Sequence, residues 1–322
     1  MIYYLAPLSD TPSWGLAILY NHVHMLGSNG IKACIVKEGP QRSPAWMDIK
    51  VPFCTVGNFR KEVCATDTVI VPEVMINFEG LKKIKARKIL FLQAGCFLFL
   101  NMPAAETHLS LGFYHVWIIM PHMKAIVEKH LLLPYSMIPP FVAPYFFAEN
   151  VSAVRKKQVL MFPKFQQIDY SLVKHIVLQH INKNNQPFIK NLFNGSNWQI
   201  KELQNLSHQQ VAAEMKRSAF FVSLNVFEAL NTAVIEAMAA GCVVFCYEGF
   251  GPRDYLMNNE NAIVFKNNEA YQLAEQVCEW IDHYGTSQLQ VKSIQQKAMA
   301  TASAYSQSAS QKALLRFFEK AK

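Results

Sequence analysis

A repeated alternation of short apolar runs and helical patterns is the feature that most constrains the fold of this chain of 322 residues. Residues 1–5 and 31–36 are typical of buried strands, whereas residues 14–26 repeat apolar side chains at helical spacing. Strands that alternate with helices pair in parallel through right-handed crossovers. The first half of the chain is therefore predicted to be an α/β domain built on a parallel sheet.

The alternation stops at residues 133–148, which hold four prolines, and then starts again. Because proline fixes φ and removes a backbone donor, we expect this stretch to be an extended connection between domains. Further strands are predicted at residues 158–162, 188–193, 219–223, 242–247 and 262–265, and helices at residues 169–181, 207–217 and 232–240. Two α/β halves predict two Rossmann-like, doubly wound parallel sheets that face a cleft.

Composition excludes several classes of protein. A chain with 12% aromatic residues and 17% charged residues is not globally disordered. Its most apolar stretch, residues 89–102, contains Gln93 and is shorter than the roughly 20 residues that a membrane span needs. Seven cysteines without a CxxC pair are typical of free thiols in a reducing compartment. We therefore expect a cytoplasmic protein without a signal peptide.

The net charge of +8 raises the question of an anionic partner. Lysine and arginine are spread along the chain, and the densest runs, residues 82–88 and 155–157, are predicted to be solvated faces. No RNA-binding aromatic motif, zinc-finger spacing or basic-leucine pattern occurs, so we expect no nucleic acid partner. Peripheral association with the anionic inner face of a membrane stays open as an alternative.

The segment that carries recognisable chemistry is residues 222–265. A strand is predicted to end at Ser223, and the loop after it contains Glu228. A helix is then predicted to begin near Asn231 or Thr232, both of which are good N-cap types. The segment therefore predicts a strand–loop–helix unit at one edge of the second sheet.

This unit predicts a site for a phosphorylated sugar. The positive end of a helix binds phosphate without a metal, through the backbone N–H groups of Asn231, Thr232 and Ala233. Glu236 lies one turn further, and its ionised carboxylate can accept two hydrogen bonds from a diol. Glu228 reaches over the other side of the phosphate. One unit can thus hold a sugar, a diphosphate and a ribose in a row.

The same segment resembles the C-terminal domain of retaining glycosyltransferases of family four (glycosyl transferases group 1), which have the GT-B fold. The resemblance rests on Glu228 and Glu236, which form an E-x7-E arrangement, and on the continuation EAMAAG at residues 236–241. Two glycines at residues 249–251 and the run NNENAIVF at residues 258–265 complete it. These motifs together are far more specific than an isolated pair of glutamates.

The resemblance covers residues 158–322 well and the N-terminal half less well. PSWGLAIL at residues 12–19 is similar to the glycine loop and first helix of the family, with Gly15 as its only glycine. The resemblance implies an N-terminal acceptor domain at residues 1–142, a C-terminal donor domain at 143–305, and a helix at 306–322 that packs back on the first domain.

The resemblance also assigns roles to residues. By this resemblance, Glu236 would bind the nucleotide ribose, and Glu228 would contact the donor sugar and the leaving-group side. The backbone N–H groups of residues 231–233 would contact the diphosphate. Of the two cations that bind the phosphates in the family, the sequence offers Lys164, and Arg253 is the candidate for sharing that role.

Three residues of the first half are candidates for contact with the reacting groups. The family often carries a histidine where this chain has Gln93, which cannot act as a base but can orient a hydroxyl. His122 is a second candidate nearby, and Gly15 would allow close approach of a ligand to the backbone. The leading hypothesis names Glu228, Gln93 and His122 as the catalytic residues.

The resemblance implies metal-independent transfer of a sugar, with retention, from a nucleotide-diphosphate sugar to a hydroxyl of a glycan or lipid-linked glycan. No Asp-x-Asp occurs, which argues against a metal-dependent transferase, and we expect neither a metal nor a cofactor. In the usual front-face scheme the leaving phosphate takes the acceptor proton.

The alternative is a catalytically weak GT-B chain that serves as a binding or partner subunit of a glycosyltransferase complex. An epimerase or phosphorylase on the same architecture is a third hypothesis.

Overall fold

A computed structural model describes residues 1–9, 11, 13–47, 49–149, 155–163, 166–184 and 197–320 of the chain. Lys164 and the strand predicted at residues 188–193 lie outside this described part. The chain divides into two compact units, Met1–Pro140 with Ser308–Lys322, and Phe141–Gln307. Each unit is built around one parallel sheet.

The sheet of the first unit has the strand order β3-β2-β1-β4-β5-β6-β7. Its strands are β1 (Ile2–Leu5), β2 (Ala33–Lys37), β3 (Phe53–Thr55), β4 (Thr68–Pro72), β5 (Arg87–Leu92), β6 (Phe113–Ile118) and β7 (Tyr135–Met137). Ile2 pairs in parallel with Ala33 on one side and with Thr68 on the other. Because helices cover both faces of such a sheet, β1 is buried along its whole length, as its continuous apolar run predicts.

The helices of the first unit connect these strands. They are α1 (Trp14–Ser28), α2 (Val56–Glu62), α3 (Gly95–Asn101) and α4 (Lys124–Ile126), with 3₁₀ turns at Glu73–Met75, Leu81–Lys83 and Pro121–Met123 and a π turn at Val127–Leu131. The Ser13 hydroxyl caps α1 by accepting a hydrogen bond from the Leu16 N–H. The apolar face that the sequence predicts for α1 is buried, which confirms this helix.

The sheet of the second unit has the strand order β12-β11-β10-β8-β9, again parallel throughout. Its strands are β8 (Lys156–Met161), β9 (Gln199–Glu202), β10 (Ser218–Ser223), β11 (Val243–Tyr247) and β12 (Ile263–Phe265). The remaining helices are α5 (Gln167–Asn184), α6 (His208–Arg217), α7 (Thr232–Ala239), α8 (Ala270–His283), α9 (Gln288–Ser303) and α10 (Gln307–Lys320), with 3₁₀ turns at Pro144–Phe146 and Pro252–Asp254. None of the described helices is both long and apolar enough to cross a membrane.

Two basic residues that the sequence assigns to solvated faces are in fact buried. Lys88 is 4% exposed, and its ammonium donates to the carbonyl oxygens of Ile84 at 2.6 Å and Leu81 at 3.3 Å. Arg155 is 5% exposed. The prediction failed at these positions because Lys88 lies within β5, a strand of a sheet that is covered on both faces, and Arg155 directly precedes β8.

Arg155 links three segments of the second unit. Its guanidinium donates to the carbonyl oxygens of Met215, Ser218 and Ala240, at 3.3, 3.1 and 2.7 Å. Gly241 is in the left-handed region with φ +78°, and a Cβ there would lie 2.5 Å from the Arg155 Nη2. The guanidinium thus connects the end of α6 with the end of α7 and supports the turn into β11.

We predict that Arg155→Ala lowers the free energy of unfolding by about 3 kcal/mol, because it removes three buried hydrogen bonds from a charged donor to carbonyl oxygens. The matched control is Lys156→Ala, since Lys156 is the exposed neighbour in the same basic run. Urea unfolding followed by circular dichroism measures both variants. Equal stability of the two variants would contradict the interpretation of Arg155 as a buried link.

Candidate active site

The order of the strands identifies the edge of each sheet at which a ligand binds. In a doubly wound sheet, this is the carboxyl end of the two neighbouring strands whose connections run in opposite directions. These strands are β1 and β4 in the first unit, and β8 and β10 in the second. Gly15 lies at the start of α1, the helix after β1, and Glu228 and Asn231 lie in the loop after β10.

The loop after β10 is held in shape by Asn231. This residue has φ +55°, a left-handed conformation that asparagine tolerates better than most residues. Its side-chain amide donates to the Ser223 hydroxyl at 3.1 Å. Although Asn231 occupies the N-cap position of α7, its side chain does not cap the helix. The predicted start of the helix is confirmed, but the Asn231 amide ties the end of β10 to the start of α7 and does not cap the helix.

This arrangement leaves the start of α7 accessible to a ligand. Thr232 and Ala233 are only half-buried, and the first N–H groups of a helix have no acceptor within the helix. Glu228 is also half-buried, in the loop that precedes α7. Glu228, the first N–H groups of α7 and Glu236 thus follow one another along one loop and one helix, in the predicted order.

A second loop, which follows β11, packs directly on the Glu228 loop. The Phe250 N–H donates to the Val226 carbonyl oxygen at 3.0 Å. A Cβ at Gly251 would lie 1.5 Å from the Ala229 carbonyl oxygen, so the two backbones meet at a position where no side chain fits. The conformation of the loop that carries Glu228 is therefore set by backbone contacts as well as by Asn231.

Phe227 and Phe250 form an exposed aromatic pair beside Glu228. Their ring centroids are 6.2 Å apart with an interplanar angle of 30°, and they are 66% and 55% exposed. Arg253 lies over the Phe250 ring, and its Nε donates to the Phe250 carbonyl oxygen at 2.9 Å. In this structure the guanidinium of Arg253 thus supports the loop after β11, and its predicted role at the phosphates stays a prediction.

Glu236 is mostly buried on α7 and has a partner that the sequence analysis missed. Its Oε1 lies 2.8 Å from the Nε2 of His208, the first residue of α6. The other ring nitrogen of His208 lies 2.6 Å from the hydroxyl of Tyr145. Tyr145, His208 and Glu236 therefore form a continuous hydrogen-bonded chain, and in the described part of the protein no hydrogen bond reaches the Glu236 Oε2.

The charge of Glu236 affects both other members of this chain. Burial alone would lower the pKa of His208, but the hydrogen bond and the charge of Glu236 outweigh it and raise this pKa above its ordinary value. Burial, together with the Glu236 charge, raises the pKa of Tyr145 to about 12. His208 can therefore offer a proton to the Glu236 carboxylate near neutral pH, while Tyr145 stays neutral.

In the first unit the structure brings together two residues that the sequence predicted separately. The side-chain amide of Gln93, just after β5, donates to the Gly15 carbonyl oxygen at 3.0 Å. A Cβ at Gly15 would lie 2.6 Å from the Gln93 Oε1, so a larger residue would push this amide away. Gly15 thus makes room for Gln93, a role that the sequence did not predict.

His122 follows the next strand of the same sheet. It lies in the 3₁₀ turn after β6, half-buried, at the edge that also holds Gln93. Since β5 and β6 are neighbours, both residues lie at carboxyl ends of adjacent strands. The described residues contain no group of three or more histidine, cysteine, aspartate or glutamate side chains that could hold a metal ion.

His208 could not be identified from the sequence. It follows Ser207, whose hydroxyl and backbone form a capping box with Gln210, and this motif explains why α6 begins there. Nothing in the spacing links position 208 to position 236, because the contact arises only when α6 and α7 pack on the same side of β10. A histidine at a helix start is a weak signal by itself.

We predict that His208→Gln lowers stability at acid pH more than at alkaline pH. Because the folded pKa of His208 is raised, the stabilisation is fully present below the unfolded pKa of about 6.5 and is lost as the pH rises through the folded pKa. Urea unfolding at pH 6 and pH 8.5 measures the difference from the wild type. His175→Gln, an exposed histidine on α5, is the control and should show no such pH dependence. A His208→Gln effect that is larger at pH 8.5 would contradict the assignment.

Comparison with known proteins agrees with this geometry. Residues 182–297 match the family model described as Glycosyl transferases group 1. The chain is 24% identical over 285 residues to the Alpha-1,6-glucosyltransferase of Actinobacillus pleuropneumoniae serotype 7 (strain AP76), an alignment that covers 84% of this chain and 81% of that protein. The family match includes the Glu228 loop, α7 and Glu236.

Solved structures show the same fold over almost the whole chain. A glycosyltransferase from Rickettsia africae ESF-5 gives a TM-score of 0.72 at 16% identity, covering 99% of this chain and 97% of that one. A sucrose-phosphate synthase from Thermosynechococcus elongatus gives a TM-score of 0.67 at 10% identity, covering 99% and 98%. The chain is therefore a glycosyltransferase that resembles the group 1 family, and its fold is the GT-B fold.

Proposed function

We propose that the protein transfers a hexose, with retention and without a metal, from a nucleotide-diphosphate sugar to a hydroxyl of a glycan or lipid-linked glycan. The observation that carries this proposal is the placement of Glu228 and Glu236 on either side of the start of α7, at the switch point of the second sheet. A cytoplasmic enzyme, peripheral at the inner face of the membrane when its acceptor is lipid-linked, fits this activity and the net charge of +8.

The start of α7 supports the binding of the diphosphate. The half-buried Thr232 and Ala233 offer their N–H groups, and the helix dipole adds a favourable potential for an anion. Lys164, which follows β8 in the sequence, and Arg253 remain the candidate cations for the same phosphates. Backbone donors that are fixed before the reaction stabilise the charge that develops on the departing diphosphate.

The two glutamates support the binding of the groups on either side of the diphosphate. The Oε2 of Glu236 can accept a hydrogen bond from the ribose, while Oε1 stays on His208. Glu228, with the Phe227–Phe250 pair beside it, is placed for the donor sugar. An Alpha-1,6-glucosyltransferase among the relatives makes glucose our choice for that sugar.

The reaction needs no strong base on the protein. The bond between the anomeric carbon and the diphosphate oxygen breaks, and a bond to the acceptor oxygen forms on the same face of the sugar. The acceptor proton passes to the departing phosphate oxygen. Gln93, which cannot take that proton, would orient the acceptor hydroxyl, and His122 is the alternative at this place. The contribution of the enzyme is then positioning and charge stabilisation.

We predict that the two glutamates affect different quantities. Glu228→Ala should lower the rate of UDP-glucose turnover roughly 10²–10³-fold but leave the Kd of UDP unchanged, since UDP lacks the sugar. Glu236→Ala should raise the Kd of UDP at least about tenfold, because it removes a charged acceptor for the ribose. Released UDP and titration calorimetry measure the two effects, with ADP-glucose and GDP-glucose as further donors.

The control for both variants is Glu275→Ala, which removes an exposed carboxylate from α8. If neither glutamate variant differs from this control, the proposed donor site is rejected. If the wild type binds UDP tightly but turns over no donor with any glycan acceptor, the protein is better described as the binding or partner subunit of a complex.

We predict that turnover does not depend on a divalent metal. The N–H groups at the start of α7 and the basic side chains would carry the charge that a metal carries in other transferases. Dialysis against EDTA should change the rate of UDP-glucose turnover by less than about twofold. Loss of turnover with EDTA and its recovery with Mg²⁺ or Mn²⁺ would overturn this part of the proposal.

A further inference from the structure

Glu73 is a buried carboxylate that the proposed reaction does not yet use. It begins the 3₁₀ turn after β4 and is 1% exposed. Its Oε2 accepts a hydrogen bond from the Gln93 N–H at 2.9 Å, and its Oε1 accepts one from the Ala94 N–H at 2.7 Å. Both carboxylate oxygens therefore bind the backbone of the loop that leads from β5 into α3.

Burial of the Glu73 carboxylate disfavours its charged form. Burial raises its pKa to about 7, although the backbone N–H groups of Gln93, Ala94 and Glu73 itself lower it. Among the described residues, no charged or titratable side chain contributes to this shift. A neutral side chain of the same size would satisfy packing at a smaller cost. The carboxylate therefore calls for an explanation beyond packing.

The contacts of Glu73 continue to the edge of the sheet. β1, β4 and β5 are neighbours, so the loops that carry Gly15, Glu73 and Gln93 meet at the switch point of the first sheet. The backbone N–H of Gln93 donates to the Glu73 carboxylate, and the Gln93 side-chain amide donates to the Gly15 carbonyl oxygen at 3.0 Å. Glu73 is too deeply buried to touch a substrate, but it contacts Gln93, which is half-buried at this edge of the sheet.

We propose that Glu73 is a positioning residue for the acceptor side of the transfer reaction, and that it fixes the loop after β5 so that the Gln93 amide points at the acceptor hydroxyl. This inference rests on the proposed function. The ionised carboxylate accepts from both N–H groups at once. A side chain with only one acceptor atom releases one of them, and Gln93 then loses its fixed position against Gly15.

Protonation of Glu73 should have the same effect as removing one acceptor. A protonated carboxyl keeps one carbonyl oxygen, while its hydroxyl is a donor that meets the second N–H unfavourably. The loop is therefore held most firmly above the folded pKa of Glu73 and loosens below it. Glu73→Gln reproduces the protonated shape at every pH, because its amide also has one acceptor and one donor.

The test compares the wild type with Glu73→Gln, and Glu62→Gln serves as the control. Glu62 is exposed at the end of α2, in the same unit but outside the turn that carries Glu73 and the loop after β5. UDP-glucose turnover with glucose-terminated oligosaccharides is measured from pH 5.5 to pH 8.5. We expect the acceptor kcat/KM of Glu73→Gln to fall roughly tenfold at pH 8, with the Kd of UDP unchanged. The acid limb of the wild-type profile should be absent in the variant.

Thermal unfolding separates positioning from a purely structural role. The folded pKa of Glu73 is raised, so its ionisation destabilises the fold as the pH rises from the unfolded pKa towards neutrality. At pH 8 Glu73→Gln should therefore have a Tm equal to or above that of the wild type. Slower transfer in a protein that is no less stable supports positioning, whereas a lowered Tm with a parallel loss of UDP binding overturns it.

Hydrogen exchange of residues 92–101 gives a readout that does not require turnover. After correction for intrinsic rates, protection of this segment in the wild type should increase as the pH rises through about 7, in step with the ionisation of Glu73. Glu73→Gln should show low protection throughout. If no donor is turned over, the proposed function fails while this measurement still decides whether Glu73 holds the loop; equal protection in both proteins overturns the inference.

Discussion

Parallel strand pairing is the constraint on which both candidate sites depend. Because every described pair of neighbouring strands is parallel, each strand ends at the same edge of its sheet, and the loops that follow collect there. Gly15 and Gln93 are 78 positions apart in the chain, yet β1 and β5 flank β4 and bring them into hydrogen-bond contact. The loop with Glu228 reaches the corresponding edge of the second sheet in the same way.

The elements that follow from local periodicity could be predicted from the sequence. The alternation of apolar runs and helical patterns predicts the doubly wound sheets, and α7 was predicted over residues 232–240 against the observed Thr232–Ala239. The E-x7-E arrangement, which is local in the sequence, singles out Glu228 and Glu236 as candidates, and their roles stay predictions. Such features are visible because hydrophobic periodicity and helix starts are determined by residues within a few positions of one another.

The features that depend on packing between distant segments could not be predicted. Asn231 was expected to cap α7, but the position of Ser223 decides where its amide points. His208 was not singled out, because only the packing of α6 beside α7 places it on Glu236. Arg155 was assigned to a solvated face, although three carbonyl oxygens from separate segments surround its guanidinium. In each case the partner is far away in the sequence and carries no local signal.

The buried ionisable groups of this protein differ in how their charge is balanced, and this difference indicates their roles. Arg155 donates to three carbonyl oxygens of the second unit, so its charge serves the fold. Glu236 is balanced by His208, whose pKa is raised by the hydrogen bond and the charge of this carboxylate. Among the described residues, Glu73 is stabilised by backbone N–H groups alone, and its charge is therefore conditional on pH.

If the departing phosphate takes the acceptor proton, as proposed, the rate of transfer depends mainly on how the reacting groups are positioned. Without a strong base, the rate depends on how long the acceptor hydroxyl stays within reach of the anomeric carbon and the phosphate oxygen. In the proposed mechanism Gln93 orients the acceptor hydroxyl without taking its proton, so the rigidity of the Gln93 loop would contribute to the rate. A carboxylate that binds two consecutive N–H groups restrains that loop more strongly than a neutral side chain does, because hydrogen bonds to a charged acceptor are stronger. In the proposed mechanism, the buried charge of Glu73 thus serves the same end as the choice of Gln93, which is to position the acceptor hydroxyl.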